Sequence, residues 1–95
     1  MGVEFSWITA EKDATKVILD DESFFIIRPA LEELEKKTGV KIDPYSDTRI
    51  SPDHASLLIK IIMSYYTNDN PKVNEFTNML KTSSDNHWWI LAVGD

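Results

Sequence analysis

The segment 52–66 would be apolar on most sides of an α-helix, and this constrains the fold more than any other feature of the sequence. Ser51, Pro52 and Asp53 predict where this helix begins, since a capping hydroxyl, an early proline and an early carboxylate all favour a helix start. A helix with such a narrow polar stripe is buried on several sides. We therefore predict a central helix around which the rest of the chain packs. Its apolar positions are Ala55, Leu57, Leu58, Ile59, Ile61, Ile62, Tyr65 and Tyr66.

Both ends of the sequence have the character of β-strands. In the segment 3–9, Val3, Phe5 and Trp7 alternate with other residues at the period of two that is typical of a half-buried strand. The segment 87–93 is rich in aromatic and β-branched residues. A lone strand leaves its backbone hydrogen-bonding groups unsatisfied. We therefore predict that the two terminal strands pair in a small sheet, antiparallel to each other or with a third strand from the middle of the chain.

The segment between the first strand and residue 38 can be interpreted in two ways. Acidic residues at 20–22 and Gly39 after Thr38 predict a helix over 20–38. Pro29 is unfavourable inside a helix, so it either kinks this helix or marks its start after a hairpin formed by 16–19 and 24–27. Residues 9–18 likewise fit a short helix or a strand. Whether 14–28 is helical or a hairpin stays open at this point.

The second half of the chain has clearer boundaries. Residues 40–50 contain several turn formers and predict a long loop. Asn70 and Pro71 predict the start of another helix, followed by a polar connection over 82–86. The chain is therefore predicted to be a single α+β domain over 1–95, with three to four helices around the central helix. The predicted buried stripe of the later helix is Val73, Phe76, Met79 and Leu80.

Charge and composition restrict the partners. The chain has 95 residues, with 16 acidic and 10 basic side chains, a formal net charge of −6 and no cysteine. A negative surface repels phosphates, so we expect a basic protein partner and no nucleic acid. Apolar runs far shorter than a membrane span and the absence of a signal region predict no membrane association. The lack of cysteine excludes disulfides and favours a cytoplasmic location.

Few residues of the sequence are candidates for catalysis or metal binding. His54 with Asp53 and Asp47 is the one constellation that could serve a small enzyme or a metal-dependent regulator, and no nucleophile motif accompanies it. Asp43, Asp47 and Asp53 lack the alternate spacing and the central glycine of a calcium loop. We therefore predict no catalytic residue, no metal site and no cofactor.

An aromatic residue in an acidic loop is the strongest indication of a binding surface. Tyr45 lies between Asp43 and Asp47, and Asp53 follows a few residues later. An aromatic among carboxylates is typical of a surface that recognises a basic protein. The alternative is that Tyr45 pins its own loop onto the core. The predicted partner-binding residues are Asp43, Tyr45, Asp47 and Asp53, followed by Glu32 and Glu33.

Trp88 and Trp89 are adjacent in the predicted C-terminal strand, so their side chains point to opposite faces. At most one of them can enter a one-sided core. The other either lies under a helix on the opposite face or anchors an interface, a role in which Trp is enriched. An exposed Trp is compatible with a homo-oligomeric structural subunit.

The run 42–52, Ile-Asp-Pro-Tyr-Ser-Asp-Thr-Arg-Ile-Ser-Pro, preceded by a helix ending at Gly39 and followed by an apolar helix, is similar to a segment of small bacterial proteins. The overall plan of a short, acidic, cysteine-free chain resembles the immunity proteins of bacterial polymorphic toxin and contact-dependent growth inhibition systems. This resemblance implies a non-catalytic protein that binds and neutralises one cognate toxin, often a nuclease with a basic active site. It transfers no functional residue to this sequence.

Overall fold

The computed structural model describes residues 2–8, 16–43, 45–65 and 70–94, and in these ranges it has four strands and three helices in an α+β arrangement. The sheet has the order β2-β1-β4-β3, with antiparallel pairing throughout, and the helices cover one of its faces. The elements are β1 (Gly2–Ile8), β2 (Lys16–Asp20), α1 (Asp21–Thr38), β3 (Thr48–Ile50), α2 (Pro52–Tyr65), α3 (Pro71–Asn86) and β4 (Trp89–Val93).

The predicted pairing of the terminal strands is confirmed. β1 and β4 lie side by side in the centre of the sheet, with Phe5 opposite Ala92 and Trp7 opposite Ile90. The third strand comes from the ambiguous segment, because β2 pairs with β1. The helical interpretation is therefore wrong for residues 16–18, while the part of it that covers 9–15 lies outside the described residues.

The hairpin alternative for residues 24–27 is also wrong, because these residues belong to α1. The Asp20 carboxylate caps this helix by accepting a hydrogen bond from the Ser23 N–H at 2.8 Å. This hydrogen bond lowers the pKa of Asp20. Gly39, with φ of 80°, ends α1 as predicted. Pro29 lies inside the helix on its exposed side. Because proline has no backbone N–H, residue 29 donates no hydrogen bond to the carbonyl of Phe25.

The starts of α2 and α3 confirm the two clearest boundaries in the sequence. The Ser51 hydroxyl accepts from the His54 N–H at 3.1 Å, and the Asn70 side chain accepts from Lys72 at 2.9 Å. α2 packs against both α1 and α3, but α1 and α3 make the main contacts with the sheet, so the prediction that the chain packs around α2 is confirmed only in part. Its last turn differs from the prediction, since Met63 is 70% exposed and Tyr65 is exposed as well. The helix is thus covered on fewer sides than its apolar circumference suggests.

The segment 82–86, predicted as a connection, is helical instead. The end of this helix is held by hydrogen bonds between Ser83 and Trp88, the residue that precedes β4. Ser83 is fully buried, and its hydroxyl donates to the carbonyl of Trp88. The Trp88 N–H donates back to the Ser83 carbonyl at 3.0 Å, and His87 ends the helix with φ of 57°. Ser83 thus links the end of α3 to the start of the next strand. Residues 82–86 are helical, although their polar composition does not indicate a helix.

The core lies between the sheet and the helices. The Phe5 and Phe76 rings, from β1 and α3, are 4.5 Å apart between centroids, and both side chains are fully buried. Trp7 packs edge-on against Trp88. The predicted stripe of α3, Val73, Phe76, Met79 and Leu80, is buried in this core. None of the described helices has the length and hydropathy of a membrane-spanning helix.

Candidate functional site

A groove of about 920 Å³ runs between α1 and the segment 41–46 that precedes β3. Its apolar lining consists of Phe24, Phe25, Leu31, Ile42 and Tyr45. Its acidic lining consists of Asp21, Glu32, Glu35 and Asp43, and its basic lining of Arg28, Lys36 and Lys41. The groove therefore has an aromatic and aliphatic lining with charges of both signs around it.

Phe25 provides the aromatic side chain on the helix wall. Ile27 and Leu31 of α1 point into the core, and Phe25 lies on the other side of the helix because successive residues are about 100° apart. The side chain of Phe25 is 70% exposed. An exposed phenylalanine forgoes the free energy that burial would provide, so this position is costly for a chain that only needs to fold.

Tyr45 provides the aromatic side chain on the opposite wall, and the loop that carries it is held in place by other residues. Ile42 is buried, and the Thr48 hydroxyl donates to the Lys41 carbonyl at 2.7 Å. At the sheet edge, the Gly94 N–H donates to the Ser46 carbonyl at 3.1 Å. The Tyr45 side chain itself is 78% exposed. The alternative in which Tyr45 pins the loop onto the core is therefore wrong, because Ile42 does so.

Asp43 sets the local backbone that presents Tyr45. Its carboxylate accepts from the Tyr45 N–H at 2.7 Å and from the Ser46 hydroxyl at 3.0 Å, which forms a turn closed by the side chain. The hydrogen bond from the Tyr45 backbone holds the pKa of Asp43 below its usual value, and the Ser46 hydroxyl acts in the same direction. Asp43 thus has a positioning role within the loop in addition to its charge.

Glu32, Asp43 and Tyr45 are the predicted binding residues that the structure brings together in the groove. Glu33 lies elsewhere on α1: its carboxylate accepts from the Tyr65 hydroxyl at 2.7 Å and so links α1 to α2. This hydrogen bond lowers the pKa of Glu33, and the positive charge of Lys37 at 3.5 Å adds to the effect.

Asp47 and Asp53 are exposed outside the groove, on the turn before β3 and in the first turn of α2. With His54 they do not form a group that could hold a metal ion, and no group of three suitable side chains exists elsewhere in the described ranges. His54 is half-buried, and its backbone contributes to the start of α2.

The sequence interpretation missed Phe25 and the basic side chains of the groove. One signal was available for Phe25, because at about 100° per residue it lies about 200° around the helix from Ile27, which is buried in the core. Glu32 contacts Arg28 at 3.2 Å, whereas the i,i+4 pattern also allowed a pair with Lys36. The groove is therefore close to neutral, and most of the net charge of −6 lies outside it.

The substitution Asp43→Asn is expected to change the response of stability to acid. Because the pKa of the folded Asp43 is below its usual 3.8, its contribution to stability is present above that value and is lost as the pH falls through the folded pKa. The amide oxygen of the variant side chain still accepts the Tyr45 N–H and does not titrate. Between about pH 6 and about pH 2.5, urea denaturation should show a larger loss of stability in the wild-type chain than in Asp43→Asn. A constant difference between the two proteins would contradict the role of the carboxylate.

Comparisons with protein families, with curated proteins and with solved structures found no match to this chain.

Proposed function

We propose that this chain is a non-catalytic binding protein that holds a basic protein partner in the groove beside α1. The observation that carries the proposal is the exposure of Phe25 and Tyr45, 70% and 78%, on the two walls of one groove. Protein interfaces are anchored by aromatic side chains that lie in pockets surrounded by polar groups. An ordered loop that presents an aromatic to solvent avoids part of the entropy cost of binding.

The charge of the chain supports a basic partner. Four carboxylates and three basic side chains line the groove, so the groove itself can pair with groups of either sign. The net charge of −6 acts at longer range and attracts a cationic protein before contact. In this proposal the acidic surface directs the encounter, and the aromatic side chains stabilise the complex.

The resemblance to immunity proteins makes the proposal more specific. In that interpretation the partner is a cognate bacterial toxin domain, for example a nuclease, and the chain neutralises it in the cytoplasm by covering its basic site. Glu32, Asp43 and Tyr45 are the predicted contacts within the groove. Glu33, Asp47 and Asp53 remain predicted contacts outside it.

The proposal is tested by titrating the purified chain with the purified protein encoded beside its gene. We expect a one-to-one complex at about 50 mM salt and a slower association at about 300 mM salt, because screening weakens attraction between separated charges. Isothermal titration gives the stoichiometry, and stopped-flow fluorescence gives the rates. The absence of binding at low salt would overturn the assignment of a toxin partner.

A pair of matched double variants separates local from long-range charge. Glu32→Gln with Glu35→Gln neutralises two groove carboxylates, whereas Glu75→Gln with Asp85→Asn neutralises two exposed carboxylates on α3 outside the groove. Both doubles change the net charge by the same amount. We expect both doubles to slow association, and only the groove double also to speed dissociation and so to weaken the complex further. Equal affinities for the two doubles would contradict a partner seated in the groove.

A further inference from the structure

The sheet has a second face that no described helix covers. The buried side chains of β1, β2 and β4 belong to the core shared with the helices. The residues that alternate with them point to the other side of the sheet, as the period of two requires. Among these, Ile8, Ile18 and Trp89 are about half exposed, and Trp89 is 47% exposed.

The strand register places most of the apolar residues of this open face next to one another. Trp89, Leu91 and Val93 follow one another along β4, which is a central strand. Ile8 lies opposite Trp89 on β1. Ile18 on β2 lies across the sheet from Val93, with Glu4 between them. The apolar stripe therefore runs through the middle of the face.

The open face carries no excess of negative charge, unlike the whole chain. Glu4 lies at an outward position with Lys16 and Arg49, and the Glu4 carboxylate is 3.2 Å from the Lys16 ammonium. Asp20 follows the same alternation, but its carboxylate caps α1. The excess of acidic residues, which gives the chain its charge of −6, is therefore elsewhere. A neutral face does not attract a basic partner, and it can meet an identical face without local repulsion.

The size of the face suits a modest interface between two copies. Four paired strands span about 19 Å, and strands of three to seven residues are about 10 to 24 Å long. Two such faces packed together bury on the order of 1,000 Å² in total, which is near the lower bound for a specific protein interface. Trp89, half exposed at the start of the central strand β4, provides the kind of anchor that carries most of the affinity of an interface of this size.

We propose that two copies of this chain pack through their open sheet faces into a two-fold symmetric dimer anchored by Trp89. The same patch contacts itself across the two-fold axis, so each Trp89 packs against the apolar stripe of the other copy. The two sheets form the inner layers, about 10 Å apart, and the helices form the outer layers. No groove residue belongs to this face, so the dimer leaves Phe25 and Tyr45 available for a partner.

Sedimentation analysis of the purified chain over a range of concentrations tests the dimer. Because the interface is small, we expect a dissociation constant in the range of about 1 to 100 µM. The mean mass should rise from 10.9 kDa toward twice that value as the concentration increases. A mass of 10.9 kDa at all concentrations up to about 500 µM would overturn the proposal, whatever else binds to this face.

Two substitutions on the face and one matched control assign the interface. Trp89→Asp is expected to raise the dissociation constant at least about 100-fold, and Ile18→Lys about tenfold. Met63→Asp places a carboxylate at a more exposed apolar position on α2, outside the sheet face, and is expected to leave the dimer intact. Circular dichroism confirms that each variant is folded. A dimer that survives Trp89→Asp, or that Met63→Asp dissociates instead, would overturn the assignment to the sheet face.

Discussion

Replacing Phe76 with alanine is expected to lower the free energy of unfolding by about 3–5 kcal/mol, a large fraction of the stability of a domain of this size. Phe76 is fully buried, and its ring meets that of Phe5 at 4.5 Å between centroids. This pair joins α3 to β1, so its removal leaves a cavity between the two layers. The lost contacts and the cavity act in the same direction.

Urea and thermal denaturation measure this effect, and Phe25→Ala is the matched control. The control removes the same atoms from a side chain that is 70% exposed, so we expect it to change stability by less than about 0.5 kcal/mol. The midpoint of thermal unfolding should fall by about 15–30 °C in Phe76→Ala. Similar losses in both variants would show that the core does not lie between β1 and α3.

The double variant Phe25→Ala with Tyr45→Ala is expected to bind the basic partner about 100- to 1,000-fold more weakly than the wild-type chain. Both side chains are exposed in the free protein, so their truncation removes contacts made only in the complex. The loss should appear mainly as faster dissociation, because the charges that direct the encounter are unchanged. Titration calorimetry and stopped-flow dissociation measure the two quantities.

The control for this prediction is an exposed apolar residue outside the groove. Ile18→Ala truncates a side chain that is 53% exposed on the open sheet face and should leave partner affinity within about twofold of the wild-type value. If Ile18→Ala and the groove double lowered the affinity for the partner equally, the binding site would have to be assigned to the sheet face. A double variant with unchanged affinity would exclude the groove as the binding surface.

Helix starts and the terminal strands could be predicted from the sequence because their signals are local. Ser51 with Pro52, and Asn70 with Pro71, mark helix starts through atoms a few residues away, and the structure shows the capping hydrogen bonds. The alternation of residues in β1 likewise depends only on the backbone geometry of one strand. These elements could be predicted without knowing which other elements pack beside them.

The elements that could not be predicted from the sequence are those whose secondary structure depends on a partner that is distant in the chain. β2 is a strand because β1 pairs with it, although Val17 and Ile18 also continue an apolar pattern with helical spacing in the sequence. β3, within the predicted loop 40–50, is three residues long and forms on the edge of β4. In each case the deciding hydrogen bonds join residues that a local pattern does not connect.

The residues of the candidate site also fall into two groups, those that the sequence predicted and those that it did not. The acidic turn that contains Asp43 and Tyr45 could be predicted from the sequence, because it is built from residues that are two and three positions apart. The shared groove of Phe25 and Tyr45, and the position of Trp89 on a sheet face that no described helix covers, follow from tertiary packing. Local hydrogen bonds and periodicity select an element, whereas the packing of distant elements selects which of its faces remains exposed.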